Sequence, residues 1–428
     1  MAIDTGSSIP LEARRGRSVA RDVIAANSGT FFEWFDLLVY AMFAITISHL
    51  FFPTGDAQSA LLFSLMTFAS SFVVRPVGAV VLGVMADRYG RRTTLSVAAL
   101  TMLCGTALIA AVPTYAVIGA WAPLLLVVGR LLQGFSVGGE FGCANSYLTE
   151  QSPRRRAFFA SIQFSTSGFA VMLASVLALV VNHYLTPAQV DAWGWRAPFI
   201  FGCLIGPIGL YLRSRISETV EFEKVADQPR RPLAETFESH KRFVLAGAAV
   251  AAAGVVASFL NIYMPTFAIN NLGISKDAAF TASICSGLVS TIFPLLGGLA
   301  ADRFGTVKVM RIALVTGVIL TFPLFLLLTR APSLVSLIVV QCTMSCVFYS
   351  FYFAPVGSLL SQLFPTSCRT TAVSIAYVAS QTFFGGVTPL VVGFLVKSTG
   401  SIMSPAYYVT LIAVGALVAL YFVRKRVQ

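Results

Sequence analysis

The apolar positions of this chain come in runs of about 20 residues separated by short polar turns, not in the alternation of strands. The runs predict twelve spanning helices, near 22–48, 59–85, 93–112, 121–149, 157–182, 195–212, 243–269, 278–300, 309–329, 333–361, 371–396 and 404–423. Helices are the form such runs take in lipid, because backbone groups there must pair within their own segment. The longest polar stretch, residues 213–242, falls at the middle of the chain and mixes acidic with basic residues. It predicts a solvated or amphipathic linker between two six-helix bundles, 1–212 and 243–428. The expected fold is an all-α membrane protein with 12 transmembrane helices in two pseudo-symmetric bundles.

Internal repetition supports the pseudo-symmetry. Gly83-Val-Met-Ala-Asp87-Arg88-Tyr89-Gly90, after the second span, returns as Gly298-Leu-Ala-Ala-Asp302-Arg303-Phe304-Gly305 after the eighth. A fainter echo follows the fourth and tenth spans: Glu150-x-x-Pro153-x-x-Arg156 against Gln362-x-x-Pro365-x-x-x-Arg369. Many transporters are built from repeated halves with the substrate site between them.

Composition agrees with a bilayer as solvent. The chain has 428 residues, 57% hydrophobic and 11% charged, with a mean hydropathy of +0.80. Soluble domains carry about 25% charged residues. The net charge of +12 has an uneven distribution. One side of the predicted membrane receives Arg14, Arg15, Arg17 and Arg21, the arginines at 88, 91, 92 and 154–156, the central linker, Arg303, Lys308, Arg311, Arg369 and Arg424-Lys425-Arg426. The other receives Arg196, Lys276, Arg330 and Lys397. Both termini and the basic loops are therefore expected on the cytoplasmic side, and this orienting charge removes the case for nucleic acid as a partner. Residues 1–21 are polar and basic, so the first span is expected to serve as its own insertion signal. The seven cysteines lie mostly in apolar runs without metal-ligand spacing and read as packing residues. No nucleotide loop, metal set or nucleophile–base pair is visible, and the segments outside the membrane are too short for a catalytic domain. Neither an enzyme nor a cofactor is expected; the expected partners are lipid, protons and a small carboxylate, and the expected state is a monomer.

The loop Gly83-x-x-x-Asp87-Arg88-x-Gly90-Arg91-Arg92 joins two helices with almost no slack. Gly90 suits a positive φ at a helix end, and Gly83 suits close approach of a neighbouring helix. Asp87 can sit at another helix N-terminus or pair with a loop arginine. A latch that holds one side of the bundle shut follows, with Asp302 and Arg303 as its second copy. Glu150 and Arg156 lie at the same boundary and are assigned to this gate.

The loop and its copy resemble the signature of the major facilitator superfamily. Asn27-x-x-Thr30-x-x-Glu33-Trp34-Phe35-Asp36, Arg75-Pro76-x-Gly78, Gly129-Arg130-x-x-Gln133-Gly134-x-x-x-Gly138-Gly139-Glu140 and Gly194-Trp195-Arg196-x-Pro198-Phe199 narrow the resemblance to the metabolite:proton symporters. One departure is that the second loop continues Gly305-Thr306-Val307-Lys308 without the double arginine, which implies a weaker or differently charged latch. The resemblance implies a multi-pass protein of a bacterial inner membrane that imports a small organic acid with protons. Trp121-Ala122-Pro123, the Phe384-Gly385-Gly386-Val387-Thr388-Pro389 break and Ser404-Pro405-x-Tyr407 look most like the citrate and tricarballylate carriers. A carrier of cyclic acids or zwitterionic osmolytes, or an exporter or exchanger without proton coupling, is the alternative.

Charges inside the spans carry the candidate chemistry. Glu33 and Asp36 share one face of the first span, Arg75 lies in the second, and Arg130 and Glu140 lie in the fourth. Each isolated charge at the bilayer centre costs about 2.5–3.5 kcal/mol on insertion scales. They must therefore face the interior, water or one another. All five fall in the first half, so proton handling is expected there and neutral polar contacts in the second half. At 1.5 Å per residue, Asp36 lies roughly 21 Å into the first span and Arg130 roughly 14 Å into the fourth from the opposite side. The two are thus near one level and are expected to pair, as the resemblance also implies. A carboxyl beside a guanidinium releases its proton readily, and one separated from it in a dry pocket keeps it. Breaking the pair would load a proton. Glu33 reads either as a second proton site or as a partner of Arg75, and Glu140 as an interhelical hydrogen-bonding group. Arg75 and Arg130 suit a carboxylate substrate, which a guanidinium grips with two parallel bonds. Gln133 and Gln163, with Tyr263, Tyr349, Tyr352, Tyr377 and Gln381 from the second half, are candidates to line the same cavity.

Overall fold

The computed structural model describes residues 19–427 apart from 54, 56, 153 and 215–231; Arg14, Arg15, Arg17, most of the central linker, and the side chains of Arg21 and Arg91 lie outside the described residues. Ten helices among these residues are long and apolar enough to cross a membrane by length and composition. Helices at Val19–Met42 with Ala44–Phe51, and at Ala197–Ser214, take the first and sixth of the twelve expected positions. The first carries three acids, Asp22, Glu33 and Asp36, and the sixth has only 18 residues.

Several helices run beyond their apolar cores: the second covers Ala57–Tyr89, the seventh Lys241–Leu272 and the eighth Lys276–Phe304. Hydropathy marks the stretch facing lipid, whereas the helix itself continues into the polar boundary. Three expected spans are not continuous. The first breaks at Phe43, where the Ser64 hydroxyl donates to the Ala44 carbonyl at 3.0 Å. The tenth runs Leu334–Met344, then a π-helical stretch Ser345–Phe353, then Val356–Leu363 after Pro355. The eleventh runs Arg369–Ser380, then a π turn Gln381–Gly385, then Thr388–Thr399 with Pro389 in its first turn. Proline cannot donate to the preceding turn, which accounts for the wider turn before each restart. The break expected from the Phe-Gly-Gly-x-Thr-Pro string is thus present, as a π turn followed by a restart.

The two bundles meet most extensively where the fifth helix (Arg156–Tyr184) packs on the eighth and where the second and fourth (Trp121–Glu150) pack on the eleventh. Gly168 makes the first contact possible: a Cβ there would run into the Ser290 backbone. The Gly194-Trp195-Arg196 string also has a structural task. Trp195 is buried, and Arg196 donates to the Ala110 and Val112 carbonyls at 3.1 and 2.8 Å, capping the end of the third helix (Arg91–Ala111).

Candidate functional site

The gate residues assemble with internal symmetry. Gly90 and Gly305 hold φ of 98° and 94°, the left-handed region that glycine adopts without strain, and each lets the next helix start at once. Asp87 caps the N-terminus of the eleventh helix, accepting from the Thr370 and Thr371 backbone amides at 3.3 and 2.8 Å and from the Thr371 hydroxyl at 2.6 Å. Asp302 does the same for the fifth helix, accepting from the Ala157 and Phe158 amides, both at 2.9 Å. Each carboxylate thus lies against the N-terminal dipole of a helix in the other bundle. Gly83 faces the Thr371 backbone, and its repeat partner Gly298 faces Ala157 and Phe158. The second latch makes two main-chain bonds like the first, so the missing arginines do not cost it its grip. Arg88, Arg92 and Arg303 are exposed.

Beside these caps, Glu150 pairs with Arg369 at 2.8 Å, and Asn145 donates to the Gly357 carbonyl at 2.9 Å. All four contacts join the two bundles at the end carrying the basic loops. Arg156 begins the fifth helix next to the Asp302 cap.

Asp87→Asn replaces a charged acceptor at a helix N-terminus with a neutral amide. A loss of about 1–2 kcal/mol is expected, shifting the open-to-closed ratio roughly 5–30-fold toward open. Distance distributions between spin labels at positions 88 and 303 should gain a longer component. An unchanged distribution would count against the latch.

Deeper in the bundle, the embedded charges form two linked clusters. In the first, Asp36 Oδ2 accepts from the Thr106 hydroxyl and, at 2.8 Å, from Gln133 Nε2. Gln133 Oε1 in turn accepts from Arg130 at 2.7 Å. The expected direct Asp36–Arg130 pair is therefore replaced by a bridge: Gln133 lies one helical turn past Arg130 and occupies the intervening space. Arg130 also reaches Ser71 at 3.4 Å, and its guanidinium lies 4.6 Å from the Tyr40 ring centre. Asp36 Oδ1 is buried without a hydrogen-bond partner and looks toward Gly202.

In the second cluster, Arg75 faces Glu33 at 3.5 Å, the pairing that was one of two readings for Glu33. Arg75 also donates to Gln381 from the other bundle. Gln381 donates to the Tyr377 hydroxyl at 2.9 Å, and Tyr377 stacks on Phe141 with ring centres 3.4 Å apart. A charged side chain of the first bundle thus ends on neutral polar groups of the second.

Glu33, Asp36, Ser71, Arg75, Arg130 and Gln133 line one cavity of about 10 Å³, close to the space of a single water. Among the described residues, the two acids and two arginines surround a space closed to anything larger. Gln163, Tyr349, Tyr377 and Gln381 do not line it. Gln163 donates to Thr30 at 3.2 Å, and Tyr349 reaches across to the Phe164 carbonyl at 3.0 Å. Tyr352 donates to the Val250 carbonyl within its own bundle, and Tyr263 is half-buried. Glu140 is buried in the fourth helix (Trp121–Glu150). The sequence reading missed Thr106 and Ser71. A hydroxyl in an apolar run usually bonds its own preceding turn, as Thr106 also does to the Met102 carbonyl at 3.1 Å, and so has no separate signature.

Residues 29–385 and 285–428 match the family model described as Major Facilitator Superfamily. The chain is 32% identical over 429 residues to the citrate-proton symporter of Klebsiella pneumoniae, an alignment covering 100% of this chain and 96% of that protein. It is 34% identical over 420 residues to the ectoine/proline transporter of Corynebacterium glutamicum, covering 94% of this chain and 83% of that one. Its fold matches that of a proton:xylose symporter bound to 6-bromo-6-deoxy-D-glucose with a TM-score of 0.78 at 19% identity, covering 96% of each chain.

Proposed function

The chain belongs to the Major Facilitator Superfamily, and on that premise we propose that it is a proton-coupled symporter importing a small organic acid, a di- or tricarboxylate, by alternating access. The observation that carries this reading is the shared cavity with two buried acids and two buried arginines. Their formal charges cancel. A carboxylate entering between Arg75 and Arg130 upsets the balance unless an acid takes up a proton. Each arginine is now held by a neutral or acidic neighbour: Arg75 by Glu33 and Gln381, Arg130 by Gln133 and Ser71. Protonation of Glu33 or Asp36 loosens those contacts and frees a guanidinium for bidentate binding of substrate. Asp36, whose second oxygen has no partner, is the proton-coupling group in this reading, with Arg130 tied to it through Gln133.

The bundles at 1–212 and 243–428 rock about this cavity, and the end with the basic loops faces the cytoplasm. The closed cavity and the two helix caps then correspond to a state sealed toward the cytoplasm. The citrate-proton symporter relative supports the tricarboxylate choice, and the ectoine/proline relative favours a zwitterion as the second reading. A zwitterion needs one arginine and one acid, whereas a di- or tricarboxylate uses both arginines.

Reconstitution into liposomes with an imposed pH gradient separates the readings. Labelled citrate or 2-oxoglutarate is expected to accumulate, and proline is not. Accumulation of proline alone would transfer the assignment to the zwitterion, and no gradient dependence for any of the three would remove proton coupling.

A further inference from the structure

The sequence offers no metal-ligand spacing among its cysteines, but the fold gathers one of them with two other donors. Glu235 and His240, at the end of the short helix Pro232–Ser239, approach Cys368 so that one ligand atom from each lies within 4.8 Å of the other two. His240 is the N-cap of the seventh helix and Cys368 the N-cap of the eleventh. Nitrogen, sulfur and carboxylate oxygen form a donor set characteristic of zinc. We propose that Glu235, His240 and Cys368 form a binding site for a borderline-soft divalent cation, zinc foremost, which ties the central linker to the gate.

A second observation comes from His240. Its Nδ1 is shut off from solvent and has no hydrogen-bond partner, and a buried polar atom left so calls for a water, an ion or a strained contact to account for it. Cys368 is fully buried. The Ser367 hydroxyl donates to Glu235 Oε1 at 2.7 Å and fixes the carboxylate beside the thiol. Such outer bonds orient metal ligands. A bound cation must displace the proton of the Cys368 thiol. Ligands about 2.0–2.3 Å from a tetrahedral ion lie roughly 3.3–3.8 Å apart. The three donors therefore need to close by at most about 1.5 Å, within the reach of side-chain rotation.

The position gives the site its consequence. Arg369, Thr370 and Thr371, which follow Cys368 directly, carry the contacts to Glu150 and Asp87. A cation at Cys368 anchors that segment to residues 235–240 and holds the gate in its closed arrangement. Zinc on this face is expected to slow transport.

The test uses the full chain in detergent under reducing conditions and needs neither substrate nor gradient, so its failure is separate from any failure of the symporter reading. Zinc is titrated against a chromophoric chelator, and cobalt(II) is followed by its thiolate charge-transfer band. One equivalent of zinc should bind, Cys368→Ser and His240→Ala should each weaken binding by about 100-fold or more, exceeding the usual loss from an outer-shell partner, and the cobalt band should vanish in Cys368→Ser. Absence of stoichiometric zinc from the wild-type chain, or an unchanged cobalt band in Cys368→Ser, overturns the site. Should Cys368→Ser fold poorly, His240→Ala and Glu235→Gln decide in its place: unchanged zinc affinity and an unchanged cobalt band in both overturn the site.

Discussion

Asp36→Asn should abolish uphill accumulation of substrate while leaving substrate-for-substrate exchange intact. Asparagine preserves the shape of the side chain and an oxygen acceptor for Thr106 and Gln133, which hold Asp36 in place. The structural loss is therefore small. The ability to carry a proton through the cycle is lost entirely. One proton moving down 100 mV contributes about 2.3 kcal/mol, which corresponds to roughly a 40-fold concentration ratio. The variant should therefore fall from that ratio toward 1, while counterflow in the same proteoliposomes continues. Steady-state accumulation at imposed gradients, read beside counterflow, measures both. Full accumulation by the asparagine variant would assign coupling elsewhere, with Glu33 the next group to examine.

Replacing Arg75 with leucine should have the largest effect on stability. The guanidinium is buried against Glu33 at 3.5 Å, lies 4.0 Å above the Phe72 ring and bonds Gln381 of the other bundle. Removing one member of a buried pair leaves the other charge uncompensated, at a cost of about 3–5 kcal/mol. Glu33→Gln in the same chain removes that charge and should restore more than half of the loss. Unfolding in mixed micelles of wild type, both single variants and the double variant gives the coupling. If the two losses simply add, Glu33 and Arg75 do not act as a pair. Substrate binding should remain impaired in the double variant, because the arginine is still absent.

Most of the fold was legible because the bilayer demands long apolar helices, and such runs are hard to mistake. The repeated Asp-Arg-aromatic-Gly loop located the two aspartates that cap helices of the other bundle, and the positive φ of Gly90 and Gly305 follows from the absent side chain. The π stretches at Ser345–Phe353 and Gln381–Gly385 were less accessible. Pro355 and the glycine pair at 385–386 signal trouble for a helix but not whether it kinks, widens or stops. The charged site was legible as a set of residue types, since each embedded charge requires a partner. Its wiring was not. Depth along a helix places Arg130 near Asp36, yet Gln133, one turn on and on the same face, is as well placed and takes the bond. The cross-bundle bond from Arg75 to Gln381 depends on how two helices 306 positions apart pack, which one sequence does not encode locally. The Glu235–His240–Cys368 cluster has the same origin, with Cys368 more than 120 residues from its companions.

The interruption in the eleventh helix bears on how the two ends of the bundle communicate. Below it, Arg369–Ser380 is fastened to the first bundle by Asp87 and Glu150, and Gln381 adds its bond to Arg75. Above it, Thr388–Thr399 restarts as a separate short rod. A rod with a joint midway between two 12-residue segments need not swing as a whole. If the bundles rock as proposed, the far segment can tilt while the near segment stays clamped, so that sealing one entrance and releasing the other become two successive events. Substrate can then be enclosed before the inner clamp is asked to let go, which is the sequence of moves a lock chamber uses to keep both doors from standing open together.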